Sequence, residues 1–293
     1  MQTPKTINEL RTEDYTEPRC LLDMNQGLPD RPARSIPVGR IVEKLDEYLS
    51  RDDWAGAGRH LDYWLADARA CGDKKGELAL QGERMGYFRK QGREEEAIDA
   101  AGKALALVEA LGMQESITAA TTYINIATVY KTFGRSAESL PFFEKARPIY
   151  EKNLAPDDGR LGGLYNNLGL ALADLGHFEE AESFFEKALR VMEKVPNGEL
   201  EQAITKLNLA DLYAARSGYE AAEETIQDLL DEGRRLLDTA SLPRNGYYAY
   251  VVKSCAPTFR TYGRFADADE LEEIAAALYR QAQPDQNDRQ DSK

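Results

Sequence analysis

The sequence predicts an all-α solenoid of about six helix pairs, and three observations carry that expectation. The phrase Asn-Leu-Gly-Leu-Ala-Leu-Ala-Asp-Leu-Gly-His-Phe-Glu-Glu-Ala, running Asn167 to Ala181, recurs in weakened form at intervals of about 42 residues. One identical step separates Ala97, Ser139 and Ala181, with Ala57 and Ala222 one or two residues off the beat and Ala268 slightly late. Small residues at Ala127, Gly169, Ala210 and Ala256 are each followed three places on by a bulky one, Tyr130, Leu172, Tyr213 and Phe259. A missing side chain beside a large one lets two helices approach closely. A unit this small cannot bury its own apolar face, so neighbours must stack and share one core.

Taken in order, residues 1–37 carry Pro4, Pro18, Pro29, Pro32 and Pro37, a density that forbids a long helix and predicts an extended lead-in. Leu21, Leu22, Met24 and Leu28 are apolar islands in it, expected to lie along the first helix pair as a cap. From Val38 the pattern turns helical: Ile41, Leu45, Tyr48 and Leu49 recur at helical spacing, a break falls at 50–53, and Leu61, Trp64 and Leu65 begin a second stripe. The clearest unit reads as helix over Leu161 to Leu175, a turn at Gly176 and His177, and helix over Phe178 to Lys194. Gly176 suits a left-handed helix cap; Gly92, Gly134 and Gly263 hold the matching place, and Gly218 falls one residue later. Trp54, Trp64, Phe142, Phe143, Phe184 and Phe185 recur at packing positions and are expected in the core. Pro148 and Pro257 fall inside helices and are expected to bend them. The array spans 38–282, and the polar tail 283–293 has no apolar periodicity and reads as disordered.

Composition narrows the function. Apolar residues make up 42 % of the 293, ample for a core, and the formal net charge is −14. Such an acidic surface repels nucleic acid and anionic lipid, so neither is an expected partner. Cys20, Cys71 and Cys255 lie far apart without a Cys-x-x-Cys pair, and His60 and His177 stand alone, so neither a zinc site nor a disulfide framework is signalled. The first 25 residues lack the apolar stretch of a secretory signal, and no apolar run approaches the roughly 20 residues that span a bilayer. These features predict a cytoplasmic protein.

The Gly-x-Phe-x-x-Ala spacing after Leu-Gly resembles the tetratricopeptide repeat. Ile149 to Asp158, followed by Tyr165-Asn166-Asn167-Leu168-Gly169, is similar to the longer 42-residue form found in kinesin light chains. The resemblance covers about Val38 to Gln281. It implies a right-handed superhelix whose first helices line a concave groove, and a family role of gripping peptides or partner proteins.

Along the groove side of the third unit, Thr121, Asn125, Thr128 and Thr132 form a polar stripe at helical spacing. The fourth unit offers Gly163, Asn167, Leu170 and Asp174, and the fifth Ile204, Asn208, Asp211 and Ala215, so asparagine holds one place three times. An amide carries both donors and an acceptor and can hold the main chain of an extended peptide. Arg89, Lys90, Lys131 and Arg260 sit near the carboxyl ends of first helices beside this groove. Cations there oppose the helix dipole, and they also suit acidic groups on a ligand. The candidate peptide-binding residues are therefore Asn125, Asn167, Asn208, Thr121, Thr128, Lys90 and Lys131.

The sequence contains no Gly-rich phosphate loop, no Gly-x-Ser-x-Gly elbow and no Cys/His dyad, so it predicts no enzyme, no cofactor, no metal and no small-molecule substrate. The expected role is a scaffold or adaptor whose groove holds an extended peptide or a partner's tail. A peptide-pheromone-type signalling receptor and an accessory subunit of a larger complex are the alternatives. Residues 1–37 are too short and Pro-rich for a helix-turn-helix output module, which disfavours the first of these.

Overall fold

The computed structural model describes residues 34–240, 243, 244 and 246–282. Among them are twelve α-helices and no strand: α1 Val38–Leu49, α2 Trp54–Ala70, α3 Lys74–Lys90, α4 Glu94–Ala110, α5 Ile117–Thr132, α6 Ser136–Asn153, α7 Gly159–Asp174, α8 Phe178–Met192, α9 Glu199–Ser217, α10 Tyr219–Thr239, α11 Gly246–Thr261 and α12 Phe265–Ala282. Each odd helix packs on the even helix that follows it, and each even helix up to α8 leads onto the next pair. The odd helices also touch one another in series, from α1 with α3 to α9 with α11. They form the inner layer of a superhelical solenoid, and the even helices form the outer one.

The repeat beat is the core. Ala57, Ala97, Ser139, Ala181 and Ala268 have no exposed surface, and Ala222 has almost none. The small-beside-large pattern works through close approach. A Cβ built on Gly169 would stand 2.7 Å from the ring of Phe185, itself fully buried on α8. Phe143 and Phe185 fill the core, but Trp54, Trp64, Phe142 and Phe184 are only partly buried against it. Adjacent residues on a helix point about 100° apart, so Phe142-Phe143 and Phe184-Phe185 cannot both face inward. The outer ring of each doublet stacks at the margin instead, Phe142 on Tyr130 at 5.9 Å between centroids and Phe184 beneath the Lys187 ammonium at 4.6 Å.

Gly92, Gly134, Gly176 and Gly263 all have positive φ at the turn inside their pair. In the first pair Asp52 takes that place with φ 55°, a conformation less comfortable for a side chain. Helix α6 runs on past both Pro141 and Pro148, and α11 past Pro257. Each proline forfeits one backbone bond. Burial of Phe143, Ala146, Ile149 and Tyr150 along the same helix offsets that loss.

Of the lead-in, the last four residues are described. Ile36 is buried, and its N–H donates to Asp73 Oδ2 at 2.9 Å. The other oxygen of the same carboxylate accepts from the Gly76 N–H at 3.0 Å and caps α3. Arg34 pairs with Asp67. Leu21, Leu22, Met24 and Leu28, and the tail 283–293, lie outside the described residues.

Cys71 and Cys255 are buried free thiols, and burial pushes Cys255 up to about 12. Among the described residues no group of His, Cys, Asp and Glu is arranged to hold a metal, and no helix is long and apolar enough to cross a membrane.

Gln81, on α3, is fully buried, and neither its amide oxygen nor its nitrogen meets a protein partner among the described residues. An unsatisfied buried polar group costs about 1–3 kcal/mol. Gln81→Leu is therefore expected to raise the melting temperature. A fall would mean that the amide is partnered in solution.

Candidate functional site

The groove is built on the inner faces of α3, α5, α7 and α9. Ser116 caps α5 through its Oγ, which accepts from the Ala119 N–H at 3.1 Å, and fixes where the polar stripe begins. Ile126 and Val129 turn inward and are buried, which leaves Thr121, Asn125 and Thr132 exposed and Thr128 half-buried on the opposite side. The threonine hydroxyls are engaged within the helix. Thr121 donates to the Ile117 carbonyl at 3.0 Å, Thr128 to Ile124 at 2.8 Å and Thr132 to Thr128 at 2.8 Å. Thr121 also shares a 2.6 Å hydrogen bond with the Tyr150 hydroxyl.

The three asparagines differ in their bonding. The Asn125 amide has no hydrogen-bond partner among the described residues and stands exposed. Asn167 donates through Nδ2 to the Gly163 carbonyl one turn back, at 2.9 Å. Asn208 donates to Asn166 Oδ1 at 2.9 Å, and Thr205 donates to that same oxygen at 3.1 Å. Asn166 therefore ties the fourth pair to the fifth, a role hidden in sequence because Asn166 sits beside the repeating position rather than on it.

A cavity of about 760 Å³ opens between α3 and α5. Thr121, Asn125 and Thr128 line one wall; Ala79, Gly82, Glu83, Gly86 and Arg89 line the other; Arg160 from α7 closes part of it. Lys90, Lys131, Asn167 and Asn208 are not in its wall. Arg160 is already held by Asp158 through two contacts of 2.9 and 2.6 Å. Arg89, Lys90 and Lys131 have no carboxylate within ion-pair distance among the described residues, whereas Arg260 is drawn to Asp269 at 2.8 Å and Glu272 at 3.1 Å. Arg260 thus serves its own helix pair.

Two charged groups are perturbed here. Burial pushes the Lys131 ammonium below its ordinary value; Asp174 opposes that shift and Arg89 adds to it. Burial pushes the Glu83 carboxyl up, Asp46 on α1 pushes it further, and Lys90 opposes. Glu83 stands 42 residues before Asn125, as Asn125 does before Asn167. That step was the signal that could have found it.

Residues 84–152 and 161–231 match the tetratricopeptide repeat. No curated protein matches the sequence. Among solved structures, a putative kinesin light chain of Podospora anserina with nearly identical TPR-like repeats is 18 % identical, over 70 % of this chain and 95 % of its own, with a TM-score of 0.50. The apo form of RapI is 14 % identical over 84 % of this chain and 83 % of its own, at 0.57. NprR in complex with its cognate peptide NprX is 16 % identical over 88 % and 70 %, at 0.56. At these identities the likeness is one of fold.

Proposed function

The chain belongs to the tetratricopeptide repeat family, and from that premise we propose that it is a non-catalytic scaffold holding an extended peptide or a partner's tail in its inner groove. The observation that carries this reading is the exposed Asn125 amide, without a hydrogen-bond partner among the described residues, on the wall of a 760 Å³ cavity that Arg89 also lines. An amide in that state offers a main chain both of the bonds it needs. Arg89 and Lys131 favour acidic groups on the ligand. NprR, of the same fold, is solved with a peptide bound, which is in keeping with this use of the groove.

The asparagines give separable outcomes. Asn125→Ala removes a bond made only to ligand, so the partner captured by the wild-type protein should bind about fivefold more weakly, for about 1 kcal/mol, at unchanged melting temperature. Asn208→Ala breaks its bond to Asn166 and should melt lower. Undiminished capture by the Asn125→Ala variant would remove the groove from consideration.

A further inference from the structure

We infer that Glu83 is the first rung of the Asn125, Asn167, Asn208 series and selects a ligand that places a cationic group, an amine or guanidinium, over α3. The inference rests on the groove reading above and adds the chemistry of one end of the ligand.

Glu83 holds the asparagine place one repeat earlier and lines the same cavity as Asn125. Its carboxylate has neither ion pair nor hydrogen bond among the described residues, although it is partly withdrawn from water. A desolvated, unpaired carboxylate is costly and is relieved by an opposite charge. The protein supplies little of that. Asp46 on α1 repels it and Lys90, two turns along α3, attracts it. Asn125, facing from α5, is neutral. Of the other charged groups in the cavity wall, Lys75 and Arg89 belong to α3, and Arg160 is held by Asp158.

The floor beside Glu83 is open. A Cβ built on Gly82 or on Gly86 would meet nothing within 4 Å, so a ligand backbone has room to descend there. Packed helices lie about 10 Å apart and an extended chain rises about 3.3 Å per residue. The cationic group should therefore fall about three residues from the one whose main chain Asn125 holds.

The test is a bead-bound library of random dodecapeptides, half with free and half with acetylated amino termini, incubated with the full chain and with the Glu83→Gln and Asn125→Ala variants. Expected binders carry a Lys or Arg at a fixed position, or require a free amino terminus. The two halves of the library tell these sources apart. Glu83→Gln should cut affinity for those binders by about tenfold, and Asn125→Ala should weaken binders whatever their charge. Glu83→Gln should also melt no lower than wild type at neutral pH. Folding raises this carboxyl's pKa, so its ionised form costs stability as pH rises through that value; the gap between the two proteins should close below the ordinary glutamate range. Adding a selected binder should move the Glu83 Cδ titration, followed by NMR, back down. Binders that depend on Asn125 but show no preference for positive charge, or keep that preference in Glu83→Gln, overturn this inference and leave the groove reading standing. Absence of any binder sensitive to Asn125→Ala overturns both.

Discussion

Phe185→Ala is expected to lower stability by about 3–5 kcal/mol, the usual loss for an aromatic ring removed from a core. The ring is fully buried and lies against Gly169, where no side chain exists to follow it into the space it leaves. Ala181 and Ala188 on the same helix are themselves fully buried and carry only a methyl, so they too offer little to fill that space. Gly169→Ala attacks the contact from the other direction, placing a methyl 2.7 Å from a ring that cannot swing away. Combining Gly169→Ala with Phe185→Leu should recover part of what each change loses, and chemical denaturation of the four proteins would measure that coupling. A loss below about 1 kcal/mol for Phe185→Ala would mean that the α7–α8 contact is looser than described.

The second large effect concerns the partner. The combined Asn125→Ala, Arg89→Ala, Lys131→Ala variant should bind the captured partner at least about a hundredfold more weakly, since hydrogen bonds to charged groups contribute about 1.5–3 kcal/mol each. Stability should not fall with affinity. Folding lowers the Lys131 pKa, so the folded chain holds that proton less tightly than the unfolded one. The charge therefore costs stability at neutral pH, and the cost disappears as pH rises past the unfolded value. Lys131→Met should melt at or above wild type, with binding reduced most at low ionic strength. Equal affinity at low and high salt would show that the cations take no part.

The period, the helix pairs and the buried alanine beat were all legible in the residues, because each is a statement about spacing along one chain. The bonding of the candidate site was not. Asn125, Asn167 and Asn208 share a sequence position, yet one amide is unpartnered, one turns back on its own helix and one reaches Asn166 in the preceding repeat. What decides among these outcomes is the neighbour offered 40 or so residues away, and a repeat pattern averages over that neighbour. Arg260 stands in the last turn of α11, as its spacing implies, but its ion pairs were hidden for the same reason, since Asp269 and Glu272 complete its surroundings only when α12 folds back. Glu83 departs from the asparagine it replaces, and its place in the register is visible only when the 42-residue step is carried back one repeat.

The Asp73 carboxylate has a consequence for how the array comes apart. End units of a solenoid ordinarily fray first, each being held by one neighbour. Here the segment leading into α1 is fastened beyond its own pair, to the start of α3, through the Ile36 N–H, while Arg34 holds it to Asp67 on α2. Peeling α1 and α2 away must therefore either break that tie or uncap the second pair. The first two pairs should open as a single cooperative unit, so that amides of α2 and of the first turn of α3 exchange with solvent at a common rate, and Asp73→Ala should let the end pair open alone.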